Sequence, residues 1–160
     1  MINVVVALDR GHGIGYNGFM PWPRLDHDIS WFRNLTKNNV IIMGSATWES
    51  LSCCKLADRI NVVISKKIWP EADHCFESPI QAIQTCSRLY PDSEIFVIGG
   101  QQLYDSTLSL AKKFYVTEID QSYNCDRFFN LDYVKQNCKE IKELASYTDP
   151  VQYTITEYSN

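Results

Sequence analysis

Apolar and polar positions follow one another in blocks along this chain. Four short apolar runs, at residues 4–8, 40–43, 61–64 and 95–98, are nearly continuous and rich in β-branched residues. Such runs are typical of central strands that are covered on both faces, as in a mainly parallel sheet. Because parallel strands need crossover connections, we expect helices between the runs.

Helical spacing occurs in three segments. Residues 26–36 form one candidate helix, a second begins at Ser78-Pro79, and a third follows Gly99-Gly100. A serine N-cap followed by a first-turn proline is a typical helix start. The second helix is expected to face inward with Ile80, Ile83 and Cys86, while the first groups Ile29, Phe32 and Arg33, and the third carries Leu103, Tyr104 and Leu108.

The pattern changes towards the C-terminus. Residues 114–119 and, with clear alternation, residues 151–158 predict strands that pair as an antiparallel C-terminal hairpin on one edge of the sheet. Since neither a linker nor a repeat is present, we expect residues 1–160 to form a single α/β domain with flanking helices. Right-handed crossovers would place ligands at the carboxyl ends of the strands.

Composition narrows the classes of function. The chain has 160 residues, 45% of them hydrophobic and 21% charged, with a net charge of −4. This balance is typical of a soluble globular protein and disfavours a general role at nucleic acids or membrane surfaces. The apolar N-terminus lacks a basic region and is too short for a membrane span. Six cysteines without a CxxC pair, and three histidines without metal-ligand spacing, predict reduced cytoplasmic thiols and no metal.

Three features suggest chemistry, and each also has an ordinary structural explanation. Four glycines within residues 11–18 suit a mobile loop or a plain surface loop, and their spacing is not that of a dinucleotide fingerprint. Asp28 stands early in a helix, where the helix dipole favours any acid. Gly99-Gly100 suits a tight turn, which would also let backbone N–H groups approach a pyrophosphate.

Four motifs together resemble the dihydrofolate reductase family. They are Met20-Pro21-Trp22, Asp28-Ile29-Ser30-Trp31-Phe32, Met43-Gly44 with Thr47-Trp48-Glu49-Ser50, and Val97-Ile98-Gly99-Gly100. The resemblance covers nearly the whole chain. It implies a monomeric cytoplasmic enzyme that transfers a hydride from NADPH to 7,8-dihydrofolate, giving 5,6,7,8-tetrahydrofolate for one-carbon and thymidylate metabolism.

The resemblance implies five catalytic positions. Asp28 would lie in the substrate pocket, where two adjacent acceptor oxygens suit the paired N–H donors of the pterin and assist proton delivery to N5 through water. Burial would raise its pKa. Thr117 would hydrogen-bond Asp28 and the pterin amino group, and Tyr104 would lie close to the nicotinamide. Met20 and Trp22 would belong to a loop that closes over the nicotinamide and excludes water.

The substrate pocket implied by the resemblance includes Arg59. Its guanidinium fork would bind the α-carboxylate of the glutamate tail, although an exposed structural arginine is the alternative. The expected pocket walls, all of which suit a plain core equally well, are Val5, Val6, Ala7, Ile29, Phe32, Leu51, Leu56 and Ile98.

The cofactor side departs from the family at two places. Ser45 stands where many relatives carry a basic residue that binds the 2′-phosphate of NADPH, and Gln101-Gln102 replace a third glycine and a basic residue. Lys66, next to Ser65 and Lys67, is the preferred source of compensating charge, although two loop lysines are more often merely solvated.

The resemblance further implies a cis peptide between Gly99 and Gly100, and a helix capped by Thr47 and the backbone after Gly44. The full set of expected cofactor contacts is Ala7, Ile14, Gly15, Met20, Gly44, Ser45, Ala46, Thr47, Ser65, Lys66, Gly99, Gly100, Gln101, Gln102, Leu103 and Tyr104.

Two other functions remain open from the sequence. One is a reductase of related fold that acts on a pyrimidine intermediate of riboflavin synthesis, which would need a phosphate-binding pocket and no carboxylate at Asp28. The other is a folate- or nucleotide-binding protein that has lost turnover. The intact set of Asp28, Trp22 and Gly99-Gly100 argues against such a loss.

Overall fold

The fold combines ten strands and five helices. The computed structural model describes residues 1–160. The strands are β1 (Ile2–Leu8), β2 (Gly13–Gly15), β3 (Val40–Gly44), β4 (Ile60–Ile64), β5 (His74–Phe76), β6 (Ile95–Val97), β7 (Lys113–Ile119), β8 (Arg127–Phe128), β9 (Glu140–Tyr147) and β10 (Tyr153–Ser159). The helices are α1 (Asp26–Thr36), α2 (Ser45–Ser50), α3 (Pro79–Leu89), α4 (Gln101–Thr107) and α5 (Leu131–Asn137), and a 3-10 turn (Leu108–Leu110) follows α4.

Eight strands form one sheet in the order β5-β4-β3-β6-β1-β7-β10-β9, and β2 pairs separately with β8. From β5 to β7 every neighbouring pair is parallel. β10 runs antiparallel to both β7 and β9. The predicted α/β class is therefore confirmed, with a mainly parallel central sheet and an antiparallel C-terminal hairpin.

The central strands are apolar throughout because both faces of the sheet are covered. Along β1, Val4 and Val6 join the larger apolar cluster with residues of α3, α4 and α5, whereas Val5 joins the smaller cluster around Trp48 of α2. Side chains alternate between the faces of a strand, so a two-sided core requires a continuous apolar run. Each fully buried valine contributes about 1.5–3 kcal/mol relative to an exposed one.

The C-terminal hairpin differs in one respect from the prediction. The antiparallel pairing of β7 with β10 is confirmed, but β10 lies inside the sheet and β9 forms the edge. All but two side chains of β9 are exposed. A strand that buries so few residues has no apolar pattern, which is why the sequence did not indicate it.

Helix α3 confirms its predicted start and corrects one inward-facing residue. The Ser78 hydroxyl accepts a hydrogen bond from the backbone N–H of Gln81 at 3.3 Å. Ile83 and Cys86 are buried as expected, but Ile80 is 55% exposed. Ile80 stands in the first turn of α3 and faces solvent. None of the helices is long and apolar enough to cross a membrane.

Candidate active site

Asp28 and Thr117 are brought together by α1 and β7. The Thr117 hydroxyl donates a hydrogen bond to Asp28 Oδ1 at 2.6 Å, across 89 positions of sequence. Thr117 is 2% exposed, and Asp28 is half-buried. Burial raises the pKa of Asp28, while the Thr117 hydrogen bond acts in the opposite direction. The site therefore holds a carboxyl group that takes up a proton more readily than an exposed aspartate does.

An aromatic cluster lies beside this carboxyl group. Trp22 is buried with Leu25, Ile119 and Tyr153, and the Trp22 ring meets the Tyr123 ring edge-on, with 6.0 Å between centroids. The Tyr153 pKa is raised by burial and, secondarily, by the Asp28 charge, so the two groups are neighbours. Tyr153 is a neighbour of Asp28 that the sequence did not predict. Its only sequence signal is a place in an alternating strand, which is typical of any core residue.

Most of the residues predicted to line the substrate pocket lie on one face of the central sheet. Val5 belongs to the apolar cluster around Trp48, and partly buried residues packed against that cluster include Phe32, Leu51, Leu56 and Ile98. Ala7 packs instead against the Trp22 cluster, and Ile29 is half-buried on α1.

Val6 is the exception among the predicted walls. Its side chain lies in the larger cluster on the opposite face of the sheet. The reason is the alternation of side chains along β1, which sends Val5 and Val6 to opposite faces. The side chain of Val6 is therefore core.

Arg59 stands beside the apolar cluster around Trp48, next to Phe32. Its Nε donates a hydrogen bond to the Ala57 carbonyl at 2.9 Å, and Nη1 donates to Thr36 Oγ1 at 3.2 Å. Its guanidinium carbon lies 5.8 Å from the centroid of the Phe32 ring. Burial, together with the nearby charge of Arg33, lowers the pKa of Arg59. The arginine is thus oriented next to a predicted wall residue and is not a freely solvated side chain.

The glycine pair lies between the carboxyl end of β6 and the start of α4. The peptide between Gly99 and Gly100 is cis, as the resemblance implies, and Gly99 has φ 128°. A Cβ on Gly99 would lie 3.3 Å from Thr47 Oγ1 and 3.4 Å from Tyr104 Oη. The Gly44 N–H donates to the Gly99 carbonyl at 2.8 Å, which ties the ends of β3 and β6 together.

One expected role on this side is corrected. Thr47 does not cap α2, because that helix begins at Ser45 and Gly44 is its N-cap. Thr47 instead directs its hydroxyl towards the glycine pair. Leu103 remains an expected cofactor contact; its side chain is 5% exposed and lies in the core, so this contact would be made by its backbone.

Tyr104 is held in place by a buried hydrogen bond. Its hydroxyl donates to the Val5 carbonyl at 2.7 Å, and burial raises its pKa. Gln101 is also engaged, since its Oε1 accepts a hydrogen bond from the Phe128 N–H at 2.8 Å. Gln102 is exposed.

The expected phosphate end lies where β3 and β4 terminate. Gly44 pairs with Ile64, so Ser45 and Ser65 follow at the same edge of the sheet. The Lys67 ammonium stands 4.1 Å from the centroid of the Trp69 ring, and the Lys67 N–H donates to Ser65 Oγ. Lys66 is exposed and forms no ion pair. Ala46 is exposed on the first turn of α2.

Residues 11–20, here called the lid segment, are fastened at their base by the buried carboxylate of Asp9, which the sequence did not predict. Asp9 is 3% exposed and accepts hydrogen bonds from the N–H groups of Gly11 at 2.9 Å, Gly13 at 2.8 Å and Tyr123 at 2.8 Å. An aspartate directly after a buried strand and before Gly-x-Gly was the available signal. Met20 is 64% exposed at the end of this segment.

The lid segment also contacts residues 121–129, here called the brace segment. β2 pairs with β8, the Asp126 N–H donates to the Gly15 carbonyl at 2.9 Å, and the Asn17 N–H donates to Asp126 Oδ2 at 3.1 Å. Ile14 packs against the larger core cluster. The glycine-rich loop is therefore anchored from Gly11 to Asn17.

An open cavity of about 370 Å³ is lined by Asp26, His27 and residues 146–150, and neither Asp28 nor Thr117 is among its lining residues. Ser45, Ser65 and Gly99-Gly100 follow the carboxyl ends of β3, β4 and β6, where parallel sheets place their ligands, whereas Asp28 lies on α1 and Thr117 within β7.

Comparison with known proteins agrees with this arrangement. The family model described as dihydrofolate reductase matches residues 1–160. A viral dihydrofolate reductase of Saimiriine herpesvirus 2 is 34% identical, with 81% of this chain and 68% of that protein covered. The dihydrofolate reductase of Encephalitozoon cuniculi is 33% identical over 98% of this chain and 92% of that protein. The dihydrofolate reductase of Buchnera aphidicola from Acyrthosiphon pisum is 38% identical over 80% of this chain and 78% of that protein.

The fold and these relatives define an enzyme of the oxidoreductase class. The chain belongs to the dihydrofolate reductase family. Membership of this family implies a nicotinamide cofactor.

Proposed function

We propose that this enzyme reduces 7,8-dihydrofolate to 5,6,7,8-tetrahydrofolate with NADPH. The observation that carries the proposal is the Asp28–Thr117 pair, a half-buried carboxyl and hydroxyl beside an apolar wall. A carboxylate offers two acceptors to the adjacent N–H donors of a pterin, and the Thr117 hydroxyl orients one of its oxygens. The riboflavin-pathway alternative needs no such carboxylate.

Asp28 assists the proton transfer of this reaction. Its raised pKa makes the carboxylate a stronger proton acceptor than an exposed aspartate, and the buried Trp22 and Tyr153 limit solvent on one side. We assign it the role of binding the pterin and helping to deliver a proton to N5 through water. Arg59, beside Phe32, would bind the α-carboxylate of the glutamate tail.

The cradle around the glycine pair fits a dinucleotide cofactor. Gly44, Gly99 and Gly100 bring backbone close together without side chains, and the Thr47 hydroxyl faces them. When bound, NADPH supplies the hydride, since no side chain can do so. Backbone N–H groups around Gly100 would bind its pyrophosphate, and Tyr104, fixed by Val5, would line the nicotinamide end.

We assign recognition of the 2′-phosphate to Lys66, together with the hydroxyls of Ser45 and Ser65. The β3–β4 register brings these positions to one edge, while Lys67 is occupied by its contact with Trp69. The net charge of −4 agrees with an enzyme that acts on small molecules without a nucleic-acid or membrane partner. We further propose that residues 1–160 act as one domain and as a monomer in the cytoplasm.

The decisive experiment is a spectrophotometric assay of the purified protein with dihydrofolate, comparing NADPH with NADH. We expect dihydrofolate-dependent oxidation of NADPH. In Asp28→Asn, turnover at neutral pH should fall by about 10²-fold or more, the usual range for losing a general acid or base, with partial recovery at low pH.

The matched control is Asp26→Asn, two residues away on the same helix. Asp26 is exposed and paired with Arg24 at 2.7 Å, so its replacement should leave turnover near that of the wild type. Absence of dihydrofolate-dependent oxidation with either cofactor would overturn the proposed function. Near-normal neutral turnover in Asp28→Asn would remove Asp28 from its assigned role.

A further inference from the structure

Gln101 links the glycine pair to the brace segment. It directly follows Gly100 and is the first residue of α4, and its Oε1 accepts a hydrogen bond from the Phe128 N–H at 2.8 Å. The two residues are 27 positions apart. The side chain of a residue next to the cofactor cradle is thus bonded to the backbone of a segment that belongs to neither α4 nor the main sheet.

The brace segment in turn contacts the lid segment through its backbone. Gly13 stands opposite Phe128 in the β2–β8 pair. The Phe129 N–H donates to the His12 carbonyl at 2.9 Å, and the Asp126 N–H donates to the Gly15 carbonyl at 2.9 Å. β8 has only two residues and pairs only with β2. Gln101 therefore supplies the hydrogen bond on the side of β8 that no strand covers.

We infer that Gln101 is a positioning residue that couples occupancy of the cofactor cradle to the order of the lid segment; this inference rests on the function proposed above. A cofactor bound against the backbone at Gly99-Gly100 restrains the start of α4. The amide of Gln101 transmits that restraint to Phe128, and the β2–β8 pair transmits it to Gly13. By linkage, an ordered lid segment must favour cofactor binding by the same factor.

The size of the coupling follows from the kind of contact. One neutral, partly exposed hydrogen bond changes an equilibrium by about 2- to 10-fold. The coupling should therefore appear in cofactor dissociation and in lid protection. Asp28 and Thr117 do not contact Gln101 through any of these bonds, so the pH dependence of turnover should stay unchanged.

The test uses Gln101→Met, which keeps the length of the side chain and removes the acceptor. Amide hydrogen exchange is measured in the free enzyme and in enzyme saturated with NADPH, and NADPH dissociation is followed by stopped-flow fluorescence. We expect faster exchange at Phe128, a smaller protection of residues 13–20 by NADPH, and dissociation faster by about 2- to 10-fold.

Two further variants make the result specific. Gln101→Glu keeps an acceptor oxygen and should retain the protection of Phe128 in the free enzyme, where no cofactor charge is present. Gln84→Met, at an exposed glutamine of α3, should behave as the wild type in every measurement.

The inference is overturned if Gln101→Met exposes Phe128 to exchange while NADPH still protects residues 13–20 to the wild-type extent. That result would make the hydrogen bond a local structural contact. If the wild-type enzyme bound neither NADPH nor NADH, the proposed function would fail first, and the inference would fail with it.

Discussion

Asp28 is subject to opposing demands from stability and from chemistry. Its carboxyl group is half-buried beside Thr117, Trp22 and Tyr153, so its ionised form is less well solvated than that of a surface aspartate. The same desolvation raises its pKa and suits it to proton transfer. Functional groups are commonly placed where they reduce the stability of the fold.

Replacing Asp28 with asparagine should stabilise the protein at pH 7. A carboxyl group whose folded pKa is raised stabilises the fold below its unfolded pKa, and this contribution is lost as the pH rises through the folded pKa. Asparagine has no such loss. In thermal unfolding followed by circular dichroism, the Tm of Asp28→Asn should exceed that of the wild type at pH 7, and the difference should close as the pH falls below the unfolded pKa of aspartate.

The exposed Asp26 provides the comparison for this measurement. Its replacement by asparagine should leave the Tm almost unchanged at either pH, because no burial penalty is removed. A Tm of Asp28→Asn below that of the wild type at pH 7 would show that the ionised carboxylate is better stabilised than its raised pKa indicates.

The lid and brace segments pack against each other without space between them. Asp9 bonds to N–H groups of both, and the Cys125 thiol lies against Gly13. A Cβ on Gly13 would overlap both Cys125 Sγ and Cβ. Glycine at this position is therefore required by the approach of the second segment, and this requirement cannot be recognised from the loop alone.

Gly13→Ala should destabilise the fold by about 1–3 kcal/mol through this overlap, measured by urea unfolding. In the background of Cys125→Gly the same substitution should cost clearly less, because both overlapping atoms are gone. Gly11→Ala is the control, since its Cβ would make only an ordinary contact, at 3.6 Å from Asp9 Oδ1. Additive effects of Gly13→Ala and Cys125→Gly would show that the two segments do not meet as described.

The position of a strand in the eight-stranded sheet decides how much its side chains contribute to the stability of the fold. Ile155 of β10 and Ile141 of β9 belong to the same hairpin and have the same side chain. Ile155 is fully buried, because β10 lies between β7 and β9, whereas Ile141 is 65% exposed on the edge strand.

Ile155→Ala should therefore cost about 2–5 kcal/mol and Ile141→Ala less than about 1 kcal/mol, both measured by urea unfolding. The large value reflects lost apolar burial together with a cavity that the surrounding sheet cannot fill. Equal costs would mean that β9 is covered in solution or that β10 is not packed as the structure describes.

Prediction from sequence succeeded where a residue pattern reflects local geometry. The runs that became β1, β3, β4 and β6 were recognisable because both of their faces are buried, and Ser78-Pro79 marked the start of α3. It failed for β9, whose exposed side chains leave no periodic signal. It left open whether Val6 faces the pocket or the core, since a continuous apolar run does not show which residue faces which layer.

The fold class, the family and the chemical types of the groups in the site could be recognised from the amino-acid sequence, because burial on both faces of a sheet and the four motifs are properties of short segments. Which of these groups meet depends on how the chain folds. The pairing of Asp28 with Thr117, the position of Thr47 beside the glycine pair, the bond from Phe128 to Gln101 and the burial of Asp9 all join residues from different elements. Such contacts depend on strand order and register, which no single segment contains.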